Sequence, residues 1–295
     1  MRGSEGRRES GSKDGPNGGM EKDIVGLIPA AGVGTRLYPF SRAVPKELYP
    51  ILGKATIEHC VETLKEGGIR KIYIVVGYQK GAIMDYLGDG SDFGVKLAYI
   101  YQMRRGGIGH AILQAKEWID STFVALLGDS FIEPKEEIRK LMDLHKRKRP
   151  VATLLLFKVR NPSAYGVVKF RREEGYLRIE RLVEKPSPKL AREFEVGGQY
   201  YALCGAYVLE PEIFDFIART PPGKRGEVEI TDALQLAVEE GKSILGWELK
   251  GKYIDVGKWE TALQVEKEMF EKHEAKYLAQ ERTKFAEKVT QPPLL

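Results

Sequence analysis

What most restricts the fold of this chain is a regular alternation, through its first half, of short apolar runs and helix-length amphipathic segments. Asp23–Ile28, Lys71–Val76, Val95–Tyr101 and Thr122–Leu127 have the length and apolar character of buried strands. Between them, Ile57–Lys65 carries Ile57, Cys60, Val61 and Leu64 on one helical face and stops at Gly67-Gly68. Lys80–Leu87, Gly109–Ile119 and Pro134–Lys146 read as further helices. The last has Pro134 in its first turn and Glu133, Glu136 and Glu137 near the positive end of its dipole. Strands separated by helices pair in parallel and need both faces of their sheet covered. The pattern predicts an α/β fold with a doubly wound, mostly parallel sheet.

From Val151–Phe157 onward the pattern changes. Gly166–Phe170, Tyr176–Val183 and Tyr200–Leu209 read as strands with no helix between them, an antiparallel-leaning, smaller β-rich part or second lobe. Helices return at Glu212–Ala218 and Ile230–Glu240, a strand at Ile244–Leu249, and a charged amphipathic helix at Trp259–Lys284. Residues 1–20 are Gly-, Ser- and Arg-rich without hydrophobic period and read as a disordered tail outside the fold. The expected division is a domain over 21–265, with halves at about 21–150 and 151–257, and a C-terminal helix over 258–295.

Apolar residues are 42% of the 295 and charged residues 30%, enough for a core without disulfides or structural metal. The net charge of +5 is mild and interleaved, so no nucleic-acid surface is expected; the run His145–Arg149 reads as a solvated helix end. No apolar run spans a bilayer and no secretion signal opens the chain, which points to a cytoplasmic enzyme with no membrane partner. Cys60 and Cys204 read as reduced, buried thiols. His59, His110, His145 and His273 show no zinc-ligand spacing.

The chemistry gathers where the first strand ends, in Ala30-Ala31-Gly32-Val33-Gly34-Thr35-Arg36-Leu37. Gly32 and Gly34 let backbone N–H groups turn toward an anion, and Arg36 adds a fork of donors suited to phosphate oxygens. A dinucleotide fingerprint is not met, because Leu37 stands where the third glycine belongs, and no Gly-Lys-Ser/Thr of a Walker loop follows. Lys46, within Val44-Pro45-Lys46-Glu47-Leu48-Tyr49-Pro50, is spaced to reach back to the same phosphates. Together the two stretches resemble the G-x-G-T-R and P-K-x-x-x-P signature of the sugar-1-phosphate nucleotidyltransferases, the nucleotide-sugar pyrophosphorylases.

The resemblance continues downstream and covers residues from about 24 to 265. It implies a Rossmann-like fold in which Ala30, Ala31, Gly32, Gly34 and Thr35 bind nucleotide. Gln102 and Gly107, in Gly107-Ile108-Gly109-His110-Ala111, would read a uracil or thymine edge. A pyrimidine imide offers one N–H between two carbonyls, which an amide side chain and a backbone group complement. Asp129, in Leu127-Gly128-Asp129, ends a strand beside the phosphates and suits Mg²⁺; the resemblance makes Asp255 the second metal ligand. It assigns Tyr165, Gly166 and Glu184 to the sugar, and Lys185 to the sugar phosphate, with Arg36 and Lys46 as its catalytic partners.

Several features lean toward the UTP–glucose-1-phosphate uridylyltransferases. They are the Pro29-Ala30-Ala31-Gly32 loop, Pro45-Lys46-Glu47, the Gly107–Ala111 element, and Thr220-Pro221-Pro222-Gly223 leading to Glu229-Ile230-Thr231-Asp232-Ala233. The expected reaction makes UDP-glucose and pyrophosphate from UTP and glucose 1-phosphate, in a homo-oligomer. The alternatives are a glucose-1-phosphate thymidylyltransferase using dTTP, and a non-catalytic regulator that binds nucleotide sugars. A nicotinamide-dependent dehydrogenase fits the lysine segment poorly.

Overall fold

The computed structural model describes residues 23–77, 81–223 and 225–273. The elements follow in chain order. β1 (Val25–Pro29), α1 (Phe40–Ala43), the hairpin β2 (Pro50–Ile51) and β3 (Lys54–Ala55), and α2 (Thr56–Glu66) come first. Then come β4 (Lys71–Val76), α3 (Gly81–Leu87), β5 (Lys96–Tyr101), α4 (Gly107–Leu113), β6 (Phe123–Leu126), β7 (Ser130–Glu133) and α5 (Glu137–Lys148). The second half holds β8 (Ala152–Val159), β9 (Gly166–Glu173), β10 (Tyr176–Glu184), α6 (Pro188–Ala191) and β11 (Tyr200–Leu209). α7 (Ile213–Arg219), α8 (Ile230–Glu239), β12 (Ile244–Glu248), β13 (Lys252–Asp255) and α9 (Trp259–His273) follow.

Nine strands form one sheet in the order β5-β4-β1-β6-β11-β8-β12-β10-β9. β5, β4, β1 and β6 are parallel, as the strand–helix alternation predicts. β11 runs antiparallel beside β6, and the second half extends the sheet with further antiparallel pairs and one parallel pair, β8–β12. The whole is an α/β fold with a mixed sheet. Both halves of the chain share it.

Side chains alternate across this sheet and explain why both faces are covered. Leu27, Tyr73, Val75, Phe123 and Ala125 face a core built with α4, α7 and α8. Their neighbours Ile28, Ile72, Ile74, Val124 and Leu126 face a second core with α2, α3 and α5. Leu27, Ile28, Ile72 and Ile74 are fully buried, and a buried Leu or Ile contributes about 1.5–3 kcal/mol. Cys60 and Cys204 are free and buried, as expected.

β11 changes partner midway. Its residues Ala206–Leu209 pair with β6, whereas Tyr201 and Ala202 pair with β9. Gly205 lies between, at φ +71°, where a Cβ would sit 2.8 Å from Leu127 Cδ1. The sheet therefore opens beside the end of β6, and this gap becomes one wall of the site.

Three sequence readings shift. The helix expected from Pro134 starts at Glu137, because Pro134–Glu136 form an entering turn and the Glu137 carboxylate folds inward. It accepts from Trp247 Nε1 at 3.0 Å and from the Lys250 amide at 3.1 Å. The helix expected over Gly109–Ile119 spans Gly107–Leu113 and continues only as turns. His145 is not part of a solvated helix end: it is buried, bonded to Thr153 Oγ1 and Glu210 Oε1 at 2.9 Å each, while Lys146–Lys148 stay exposed. The tail over 1–20 and the predicted helix beyond His273 lie outside the described residues.

α2 is fastened to β2 and β7 through His59. Its Nε2 donates to the Ile51 carbonyl at 2.9 Å, its ring packs edge-on against Phe131, and Nδ1 has no hydrogen-bond partner among the described residues. Burial pushes this imidazole down to about 4 against the opposing Ile51 carbonyl bond, with Lys135 also lowering it. The unfolded chain then binds a proton below pH 6.5 that the folded chain refuses until about pH 4. Stability should fall as pH drops through that window, and His59→Gln should flatten the fall, read as Tm against pH.

Candidate active site

The carboxyl ends of β5, β1 and β6 open onto one cavity of about 550 Å³, where open α/β sheets take ligands. Strand order spreads the contributing residues along it: Gln102 after β5, the glycine loop after β1, Asp129 after β6, and Gly166 and Glu184 where β9 and β10 meet. Among the residues expected from sequence, Ala31, Gly32, Arg36, Lys46, Gln102 and Gly107 line it, with Asp129, Tyr165, Gly166, Glu184, Lys185 and Asp255. Ala30, Gly34 and Thr35 do not. Ala30 is buried in the core, with its amide on the Val75 carbonyl at 2.8 Å, and Gly34 and Thr35 shape the turn that carries Arg36.

Lys46 reaches back over the loop as its spacing suggested. Gly34, at φ +72°, would place a Cβ 3.1 Å from Lys46 Cβ, and Gly32 one 3.3 Å from Lys46 Cε. The lysine stem thus lies across both glycines, an approach that larger residues would block. Its ammonium forms an ion pair with Asp129 and stands 4.0 Å from Glu47 Oε1. Burial pushes the Lys46 ammonium down, but Asp129, Glu47 and Asp255 outweigh it and hold it above the usual lysine range. Burial would raise Asp129, yet Lys46, helped by Arg36, keeps its carboxyl below the usual range. Both groups stay charged.

Asp129 and Asp255 are 126 positions apart in the chain and meet through a two-stranded ribbon. β7 pairs antiparallel with β13, putting Asp255 opposite Ser130, and the Val256 amide donates to the Asp129 carbonyl at 3.0 Å. Arg36 Nη1 donates to Asp255 Oδ2 at 3.2 Å. A Cβ on Gly257 would lie 2.7 Å from Asp255 Oδ1 and 3.1 Å from Asp129 Oδ2, so both carboxylates face one point. No cluster of three or more His, Cys, Asp or Glu able to hold a metal is found among the described residues. Two carboxylates beside a phosphate site still fit Mg²⁺, which leaves its other positions to phosphates and water.

At the far end, Glu184 Oε2 accepts from Thr231 Oγ1 at 2.7 Å and Oε1 pairs with Lys185 Nζ at 2.9 Å. Lys185 sits at φ +43°, unusual for a side chain of its kind, with its amide on the Tyr165 carbonyl at 3.0 Å. Sequence reasoning passed over Arg225, Glu227, Glu229, Tyr253 and Lys258, which also line the cavity. The segment carrying the first three is pinned to the Gln102 end by Val228. The Val228 amide donates to Gly106 at 2.6 Å and its carbonyl accepts from Gly109 at 2.8 Å. The sequence signal for this segment is Thr220–Gly223 leading to Glu229–Ala233, which assigns no role to Arg225 or Glu227.

A glycine loop carrying Arg36, crossed by Lys46, thus lies at the ends of parallel strands and faces paired carboxylates, and residues 25–272 match the nucleotidyl transferase family. The chain belongs to that family. It is 35% identical to the low-salt glycan biosynthesis nucleotidyltransferase Agl11 of Haloferax volcanii over 82% of this chain, spanning 64% of that relative's length. It is 31% identical to the UTP–glucose-1-phosphate uridylyltransferase of Pseudomonas aeruginosa, over 78% of this chain and 90% of that protein. A crystal structure of a UDP-glucose pyrophosphorylase complexed with UDP-glucose superimposes with a TM-score of 0.75 at 29% identity, covering 85% of this chain and all of that one. No helix among the described residues is long and apolar enough to cross a membrane.

Gly257→Ala should therefore fill the point the two carboxylates face. Its backbone permits alanine, but the methyl must displace Asp255 Oδ1 and Arg36 Nη2, 2.7 and 2.9 Å away, so Tm should fall by a few degrees at most, while, on the Mg²⁺ role proposed below, the Mg²⁺ concentration for half-maximal activity should rise about tenfold or more. A magnesium titration with a parallel melting curve checks both.

Proposed function

We propose that the protein is a UTP–glucose-1-phosphate uridylyltransferase that makes UDP-glucose and pyrophosphate. The observation that carries this reading is the Lys46–Asp129 pair beneath the glycine loop, in one cavity with Gln102 at one end and Glu184–Lys185 at the other. The glucose 1-phosphate oxygen attacks the α-phosphorus of UTP, the bond to the β-phosphate bridging oxygen breaks, and pyrophosphate leaves with its electron pair. No covalent bond to the protein is required, so the residues act by positioning and charge neutralisation.

Gln102 and the Gly107 backbone take the base edge. Amides of the Ala31–Gly32 turn, with Arg36 and Lys46, steady the triphosphate and the departing pyrophosphate, and Lys46 stays protonated at every working pH. Tyr165, Gly166 and Glu184 hold the sugar, and Lys185 its phosphate. Asp129 and Asp255 would hold Mg²⁺, which supplies further charge neutralisation at the phosphates. The uridylyl preference rests on the loop and helix sequences and on the named relatives. A thymidylyltransferase would use the same residues, and the base methyl that separates the two substrates is worth only about 1–3 kcal/mol in an apolar pocket.

Pyrophosphate release from UTP or dTTP at matched concentrations, with Mg²⁺ and glucose 1-phosphate, tests the reading. UTP should be the better substrate. Lys46→Ala and Asp129→Asn should each lower kcat by about a hundredfold or more. A preference for dTTP moves the protein to the thymidylyl branch, and near-wild-type rates in both variants would contradict the mechanism.

A further inference from the structure

The side-chain amide nitrogen of Gln102 lies 2.7 Å from Nδ1 of His110. An amide nitrogen only donates, so Nδ1 is the acceptor in this contact. Gln102 is 6% exposed, lines the cavity, and its Oε1 accepts no hydrogen bond among the described residues. One limb of the planar amide is thus held by the protein, and the carbonyl limb is left for a ligand. The ring that holds it is itself confined. A Cβ on Gly106 would fall 2.5 Å from His110 Cγ and 2.9 Å from Cδ2, so the imidazole occupies a notch that glycine leaves open. Across the ring, Gln114 Nε2 donates to the His110 carbonyl at 3.2 Å and lies 3.5 Å from the ring Nε2.

We propose that His110 is a positioning residue for base selection. By taking the Gln102 amide hydrogen, it presents Gln102 Oε1 to the ligand as a fixed acceptor. That favours a base whose edge offers an N–H, uracil or thymine, and disfavours cytosine, whose corresponding ring nitrogen is a bare acceptor. Oxygen lone pairs against that nitrogen leave two buried acceptors facing each other, which is costly. Without Nδ1 the amide can turn half a revolution about its last torsion and offer its NH₂ to cytosine instead, because the two ends of an amide differ in hydrogen bonding far more than in shape. The inference rests on the nucleoside triphosphate reading above and adds the residue that sets the hydrogen-bond polarity of the base site.

The test compares kcat/KM for UTP and CTP, with glucose 1-phosphate and Mg²⁺, in the wild type and in His110→Leu, His110→Asn and Gly106→Ala. Asparagine places Oδ1 close to the position of the imidazole Nδ1 and keeps the acceptor; leucine removes it. His110→Leu should lower the UTP/CTP ratio about tenfold or more, through a higher KM for UTP with kcat changed less than about threefold. Gly106→Ala, which displaces the ring, should act in the same direction. His110→Asn should keep the ratio within about threefold of wild type. A ratio unchanged in both His110→Leu and Gly106→Ala, or lost as fully in His110→Asn as in His110→Leu, overturns the role of His110 while leaving the enzyme assignment standing. A wild-type protein that uses no pyrimidine triphosphate overturns the assignment and this inference together. Should His110→Leu fail to fold, the contrast between Gly106→Ala and His110→Asn decides.

Discussion

Lys46 spends its length crossing two glycines and its charge on Asp129, and the geometry of the cavity follows from that contact. A buried ammonium is unfavourable unless anions surround it, and here Asp129, Glu47 and Asp255 do so. The pair ties the segment after the glycine loop to the end of β6. Through the β7–β13 ribbon it also ties both to Asp255 and Arg36. Four stretches of chain therefore meet at one cluster of alternating charge. Such a cluster suits the polyphosphate of the proposed function, because its charges are already fixed in place before a ligand arrives.

The sheet explains why Gln102 and Glu184, to which the proposed function gives the base and the sugar, both line one cavity. Parallel strands β5, β4, β1 and β6 bring their carboxyl ends into line, and β11 then exchanges β6 for β9 at Gly205. That exchange places Gly166 and Glu184 beyond Asp129 on the same side of the sheet. Val228, hydrogen-bonded to Gly106 and Gly109, couples the two ends, since the segment it belongs to also carries Arg225 and Glu229. Burial and the nearby Glu184 raise the Glu229 carboxyl, and Arg225 opposes them.

Much of this was legible in the sequence where cause and effect lie close together in the chain. The strand–helix alternation shows because apolar residues repeat at the period of each element, and Gly32, Gly34 and Lys46 fall within one short stretch. The β7–β13 ribbon was not legible. Four-residue strands carry almost no period, and their pairing is decided by residues 120 or so positions away. The role of Gly257 follows only from that pairing. The inward turn of Glu137 and His145 was hidden for a related reason: both are polar, and their partners Trp247, Lys250, Thr153 and Glu210 lie elsewhere in the chain. The contact between Gln102 and His110 spans eight positions and two elements, so no local pattern marks it.

In the proposed reaction a single cavity holds the nucleotide, with its base at Gln102 and its phosphates between Lys46 and the Asp129–Asp255 pair. A crystal grown with UTP and Mn²⁺ in place of Mg²⁺ addresses it directly through the anomalous signal of manganese. The account predicts a manganese peak within coordinating distance of both Asp129 and Asp255, with the uracil N3 hydrogen directed at Gln102 Oε1. Manganese away from both carboxylates, or the base lodged at the Glu184 end, would contradict it.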